Sequence, residues 1–145
     1  MMQFGHVGLT VSDLERSAVF YEQAFGFERT LRITRDEEWI RRVVGYPYAK
    51  LEFQHMKLES GMHLELVKYA SHSATPFSGE TCVPGSVHFC LEVADIGKAA
   101  LRAKKAGARI QYEPTRIPDG PNSGAYVLYL RDPDDITVEL FQRAK

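Results

Sequence analysis

The sequence predicts an α+β fold built from two copies of one unit, each a strand, a helix and three further strands. Three observations predict it. The pattern H-x-x-L-x-V-x-D occurs at residues 6–13 and again at residues 88–95. A helical segment that ends at a glycine follows each copy, and each half closes on an apolar strand with one central glutamate. Recurrence of the same features in the same order indicates one structural unit used twice.

The hydrophobic periodicity places the same elements in both halves, with one additional helix in the first. The first half has predicted strands at 3–11, 28–35, 48–57 and 62–69, a helix at 13–25 and the additional helix at 37–44. The second half has predicted strands at 86–94, 108–114, 124–131 and 136–142 and a helix at 95–106. Gly26 and Gly107 are typical helix terminators. Ser12 and Glu15 predict a capping box at the first helix.

The length of 145 residues suits a single domain with a proper core. We expect one domain over 1–145, with module 1 at 1–69, module 2 at 86–145 and a linker at 70–85 that is rich in Ser, Thr, Pro and Gly. A turn residue lies four positions before each central glutamate. Gly61 suits a positive φ in the first half, and Asp135 is predicted to adopt one in the second.

Composition excludes several classes of function. Eighteen basic and nineteen acidic residues give a net charge of -1, so neither nucleic acid nor a membrane surface is an expected partner. The first eleven residues do not resemble a secretory signal, and no apolar stretch approaches the roughly 18 residues that span a bilayer. We therefore expect a cytoplasmic location. Cys82 and Cys90 are expected to be free thiols, since they form no C-x-x-C pair.

Strand alternation places four side chains that can bind a metal ion on the polar faces of their strands. Side chains alternate with period two, so His6, Glu65, His88 and Glu139 each project from the side opposite the apolar residues of their strand. Two imidazoles and two carboxylates suit one divalent ion and leave positions open for substrate. A lone strand histidine is more often an ordinary surface residue, which is our expectation for the remaining histidines, 55, 63 and 72. Equivalent His and Glu positions in both copies favour a metal site.

At these residues the chain resembles the vicinal oxygen chelate superfamily, which includes glyoxalase I, methylmalonyl-CoA epimerase, extradiol dioxygenases and bleomycin resistance proteins. The resemblance rests on the motifs HVGLTVSDLERS at 6–17 and YLRDPDDITVEL at 129–140. It implies paired βαβββ modules that form an open, barrel-like mixed sheet with the helices outside. It also implies a homodimer and one divalent metal ion per site, which can be Ni, Co, Zn, Mn or Fe, held by the four residues just named.

The ligand set looks like that of glyoxalase I and the metal isomerases. It implies a metal-dependent lyase or isomerase that acts on a small carbonyl or hydroxycarbonyl compound through an enediolate-type intermediate, with Glu139 or Glu65 as the catalytic base. One alternative is an epimerase of the methylmalonyl-CoA or sugar-derived type. A second is an extradiol-type iron dioxygenase, against which Glu65 counts as an extra carboxylate. A third is a non-catalytic drug-binding resistance protein, against which the full ligand set counts.

Five residues are predicted to line the substrate pocket. Thr10 and Tyr69 occupy the positions where glyoxalase I carries an Arg and an Asn that hold glutathione, so glutathione recognition is not expected. Trp39 lies in the additional helix, which is similar to an element at the mouth of some relatives. Cys90 and Tyr129 complete the predicted pocket, since each lies on a strand near a predicted ligand.

Overall fold

The protein, described from a computed structural model that covers residues 1–73, 75 and 77–145, has the predicted α+β class. Its elements follow the predicted order. They are β1 (Val7–Thr10), α1 (Leu14–Phe25), β2 (Glu28–Arg35), α2 (Glu38–Val44), β3 (Leu51–Lys57), β4 (His63–Tyr69), β5 (His88–Glu92), α3 (Ile96–Lys105), β6 (Arg109–Ile110), β7 (Thr115–Arg116), β8 (Tyr126–Arg131) and β9 (Thr137–Gln142). None of the helices in the described part of the chain is both long enough and apolar enough to cross a bilayer.

Two sheets of matching topology contain these strands. The first has the order β1-β4-β3-β2 and the second the order β5-β9-β8-β6, with β7 also paired to β8. In each sheet the opening strand runs parallel to the closing strand, and the other pairs are antiparallel. The chain divides into two compact units, Met1–Glu22 with Gly26–Pro76 and Gln23–Phe25 with Phe77–Lys145. Each unit contains one sheet.

The last residue of the repeated pattern, an aspartate, caps the helix that follows it. The Asp13 carboxylate accepts a hydrogen bond from the backbone N–H of Arg16 at 2.9 Å, and Asp95 accepts one from Lys98 at 2.9 Å. Both caps have an extended backbone, as an N-cap requires. The predicted capping box of Ser12 and Glu15 was therefore wrong by one position, because Asp13 is the last extended residue before the helix.

One face of each sheet forms the core of its unit. In the first unit the buried strand residues include Leu9, Met56, Leu64 and Leu66. In the second they include Phe89, Leu91, Leu128, Leu130, Val138 and Leu140. Helix α3 packs on β9, β8 and β6 through its buried residues Ile96, Ala100 and Ala103, which follow helical spacing. The other sheet face carries a mixture of polar side chains, such as Glu65 and Glu139, and apolar ones, such as Phe53 and Phe141.

The outer strand of each sheet is irregular at corresponding places. In the first sheet Arg29 pairs with Met56 and Leu31 with His55, so Thr30 is one extra residue. The second sheet differs more from the prediction, because the strand expected at 108–114 is two short strands, β6 and β7. Ile110 pairs with Leu130 and Thr115 with Val127, which leaves four residues, 111–114, opposite two, 128 and 129. Such an excess bends the edge strand away from its neighbour.

Candidate active site

His6 and Glu65, two of the predicted metal ligands, lie side by side in the first unit. Parallel pairing puts Gly8 of β1 opposite Glu65 of β4, and His6 is two residues before Gly8 on the same face. The His6 Nε2 atom is 3.8 Å from Oε1 of Glu65. A Cβ added at Gly8 would meet no atom within 4 Å, so the space beside Glu65 is open.

His88 and Glu139 form the equivalent pair in the second unit. Here Cys90 takes the place of Gly8, opposite Glu139 in the parallel pairing of β5 with β9. The His88 Nε2 atom is 3.1 Å from Oε2 of Glu139. The glutamate side chains are 19% exposed for Glu65 and 18% for Glu139, so both carboxylates are partly shielded yet reachable from solvent.

Each pair fits one edge of a metal coordination sphere. Two donors at about 2.1 Å from one ion lie about 3 Å apart at a right angle and up to about 4 Å apart at wider angles. The distances of 3.1 and 3.8 Å fall in that range. Among the described residues, no group of three or more His, Cys, Asp or Glu side chains has the geometry of a metal site. The binding of one ion by all four residues stays a prediction.

His55 adjoins Glu65, a contact that the sequence pattern did not predict. It lies on β3 directly across from Glu65, and its Nε2 atom is 3.5 Å from Oε2 of Glu65. Its ring also stacks on Phe53, with the planes 19° apart. The sequence pattern assigned His55 no role, and its contact with Glu65 is seen only in the structure. A signal was present in the sequence, because His55 precedes Glu65 by the same ten positions that separate Tyr129 from Glu139.

Tyr129 and Cys90, two of the predicted pocket residues, both adjoin the second pair, and of the two only Tyr129 lines the cavity described below. The Tyr129 hydroxyl is 3.1 Å from Nε2 of His88, and Tyr129 is paired with Glu139 across β8 and β9. Loss of hydration and then the charge of Glu139 raise the pKa of Tyr129. Loss of hydration, followed by the charges of Glu139 and Glu92, raises the pKa of Cys90 to about 11. Both groups are therefore protonated near neutral pH.

The other three predicted pocket residues lie in the first unit. Thr10 is exposed at the end of β1, on the same face as Gly8. Trp39 is 54% exposed on α2. Tyr69 ends β4, and its ring is 5.8 Å from the rings of both Tyr46 and His72. Burial, and then Tyr46, raises the pKa of Tyr69.

An open cavity of about 730 Å³ lies in the second unit beside Glu139. Its size is within the range of small-molecule sites. The lining includes Arg109, Gln111, Tyr112, Glu113, Tyr129 and Glu139. The cavity therefore adjoins the predicted ligand pair at the place where the edge strand leaves β8.

Comparison with known proteins agrees with this fold. Residues 3–140 match the Glyoxalase/Bleomycin resistance protein/Dioxygenase superfamily. A 2-epi-5-epi-valiolone epimerase of Actinomyces sp. is 29% identical over 140 residues, which cover 93% of this chain and 76% of that protein. A lactoylglutathione lyase of Arabidopsis thaliana is 27% identical over 97% of this chain, which spans only 44% of the plant protein. A glyoxalase family protein of Bacillus cereus has a similar structure, with a TM-score of 0.85, 21% identity and coverage of 100% and 96% of the two chains.

The repeated βαβββ topology and the paired His and Glu positions define a protein of the vicinal oxygen chelate class. The chain belongs to the Glyoxalase/Bleomycin resistance protein/Dioxygenase superfamily, since the match covers nearly its whole length. Members of this superfamily generally bind a divalent metal ion. Two of the relatives named above are enzymes, a lyase and an epimerase.

Proposed function

We propose that the protein is a metal-dependent lyase or isomerase that moves a proton on a small carbonyl or hydroxycarbonyl compound. The observation that supports this most directly is the occurrence of one His–Glu pair at the same topological position in each unit, with donor atoms 3.8 and 3.1 Å apart. His6, Glu65, His88 and Glu139 would hold one divalent ion. Such an ion supplies Lewis-acid stabilisation of negative charge on a substrate oxygen, worth several kcal/mol of barrier.

The residues of the chain have separate tasks in this proposal. Glu139 accepts the proton from the carbon next to the carbonyl group, because it lines the cavity and contacts one histidine. Glu65 has histidines on both sides, His6 at 3.8 Å and His55 at 3.5 Å, which favours a fixed carboxylate. Tyr129 faces the same cavity, and its hydroxyl can donate a hydrogen bond to a substrate oxygen.

Epimerisation of a sugar-derived ketone is the second candidate function. The relative named as an epimerase supports it, and this chain spans 76% of that protein. An epimerase must remove a proton from one face of a carbon and return one to the other face. In this candidate function Glu65 would not remain a fixed carboxylate but would share the proton transfer with Glu139. We also propose a homodimer, which the family resemblance implies and which light scattering after size-exclusion chromatography would test.

Elemental analysis is the first experiment. The protein is purified without chelators and without a metal-binding tag, and its metal content is compared with that of Glu139→Gln. We expect about one Ni, Co, Zn, Mn or Fe per chain in the wild type and a lower content in the variant, because one charged ligand becomes a neutral amide. The matched control is Glu59→Gln, an exposed glutamate in a turn. Equal metal content in all three proteins would contradict the ligand assignment.

Proton exchange tests the reaction itself. Metal-loaded protein is incubated in deuterated water with a small hydroxyketone, and the incorporation of deuterium at the carbon next to the carbonyl group is followed by NMR. We expect exchange that Glu139→Gln reduces by at least about 100-fold, the size of a typical general-base contribution. A metal-loaded protein that consumes oxygen with a catechol and exchanges no proton would instead favour the dioxygenase alternative.

A further inference from the structure

The irregular edge of the second sheet is separated from the proposed base by one strand, β8. Four residues, Gln111 to Pro114, stand opposite only Leu128 and Tyr129. Tyr129 is in turn the cross-strand partner of Glu139. In the first sheet the corresponding bulge has one extra residue, beside His55. The two modules thus share a bulge next to the residue that faces the glutamate, but the bulge of the second module is longer.

The longer bulge forms a wall of the cavity beside Glu139. Gln111, Tyr112 and Glu113 line the cavity together with Tyr129, whereas the strand residues on either side keep their pairing with β8. Pro114 has no N–H with which to continue the ladder, which helps to explain why pairing stops here. The segment can therefore vary in sequence without loss of the sheet hydrogen bonds that hold Glu139.

The chemistry of this wall favours an uncharged, hydroxyl-rich ligand. Both guanidinium groups of the lining are engaged by Asp135, since Arg109 pairs with its carboxylate and Arg131 donates to its carbonyl oxygen at 3.2 Å. What Gln111, Tyr112 and Glu113 add is an amide, a phenol and a carboxylate. The side-chain amide of Gln111 donates a hydrogen bond to the Tyr112 hydroxyl at 3.2 Å. These groups offer both donors and acceptors, and hydroxyl groups of a ligand can satisfy either kind.

We infer that residues 111–113 form the specificity wall of the substrate site and that the site takes a small polyhydroxylated ketone or aldehyde. This inference rests on the proposed function, because it places the reacting carbon of that ligand next to Glu139. Both arginines that line the cavity contact Asp135 within the protein, so ligand recognition is assigned to residues 111–113 and not to an arginine–phosphate contact.

Isothermal titration of the Ni²⁺-loaded protein with 2-keto-myo-inositol, a polyhydroxylated cyclic ketone, tests the inference. We expect saturable binding that Tyr112→Ala and Glu113→Ala each weaken by about 5- to 10-fold. The matched controls are Tyr48→Ala and Glu59→Ala, an exposed tyrosine and an exposed glutamate of the first unit, which should bind as the wild type does. Circular dichroism of each variant checks that it is folded.

The outcomes separate this inference from the proposed reaction. Unchanged affinity in the two wall variants would overturn the specificity wall, and so would a wild type that binds coenzyme A but no polyhydroxylated ketone. A protein that binds the ketone through the wall and never exchanges its proton would overturn the reaction and leave the wall in place. Exchange that proceeds equally well in Tyr112→Ala and in the wild type would overturn the wall and leave the reaction in place.

Discussion

Replacement of Tyr129 by phenylalanine should tighten metal binding. The Tyr129 hydroxyl is 3.1 Å from Nε2 of His88, and the same nitrogen is the one that faces Glu139 at 3.1 Å. If the phenol donates, it occupies the lone pair of Nε2, and if Nε2–H donates to the phenol, that nitrogen is protonated. In either arrangement the nitrogen cannot bind an ion until this hydrogen bond is broken.

The expected size of the effect follows from this one hydrogen bond. A typical hydrogen bond contributes about 1 kcal/mol net, which corresponds to about a fivefold change in an equilibrium constant. Tyr129→Phe removes the hydroxyl and keeps the ring, so its dissociation constant for Ni²⁺ or Zn²⁺ should fall about fivefold. Competition with a fluorescent chelator at fixed pH measures this constant. Tyr126→Phe is the control, because Tyr126 is on the same strand but has the opposite parity, away from Tyr129.

The sign of the change makes the prediction decisive. A second group that orients a metal-bound histidine normally raises metal affinity, and its loss costs about 10- to 100-fold. Weaker binding in Tyr129→Phe would therefore show that the phenol supports the ligand, and equal binding would show that the contact with His88 has no effect on the metal. Either result would refute the competition between phenol and metal.

Three further predictions concern stability and reactivity. The backbone N–H of Arg16 lowers the pKa of Asp13 in the folded protein. This carboxylate therefore stabilises the fold above its unfolded pKa of about 4, and the stabilisation is lost as the pH falls through the lower pKa of the folded state. Asp13→Asn should therefore lose less stability between pH 5 and pH 2, as measured by urea unfolding. In a Cys82→Ser background, Cys90 should react with iodoacetamide at pH 8 at least about tenfold more slowly than a thiol of ordinary pKa. Glu139→Gln should increase this rate, because it removes a negative charge that raises the pKa of Cys90. Gly61→Ala should lower the free energy of unfolding by about 1–2 kcal/mol, because φ at Gly61 is 91° and no neighbour lies within 4 Å of the added Cβ. The control is Gly5→Ala, which has similar space and no positive φ and should leave the free energy of unfolding nearly unchanged.

The sequence predicted the regular elements well because their signals are local. Strand β2 has the predicted bounds of 28–35, and helix α1 begins one residue later than predicted. The positive φ expected at Asp135 is confirmed at 67°. The repeated pattern was the strongest signal, since it identified equivalent strands and therefore equivalent faces. The cap at Asp13 was placed one residue early, because Ser and Asp are both good N-caps and only the backbone conformation distinguishes them.

The features that were missed depend on register between strands. Alternation gives the face of a residue but not its partner across the sheet, so the contact of His55 with Glu65 required the pairing of β3 with β4. Between β6 and β7 the edge strand has two more residues than the segment of β8 that it faces. Hydrophobic periodicity along a single strand does not reveal such a difference. For the candidate site, the sequence identified both His–Glu pairs, and the structure places the members of each pair together.

The interrupted edge of the second sheet also limits the strand surface on which another chain could pair. A long, regular outer strand offers unpaired N–H and C=O groups on which a foreign strand can assemble, and this route leads to aggregation. At the outer side of β8 only two-residue strands are available, separated by a bulge that ends in Pro114. The outer strand of the first sheet is longer, but it bears the charges of Glu28, Arg29, Arg32 and Arg35. A shorter, straighter 111–114 segment would therefore close the cavity and create a template for self-association at the same time.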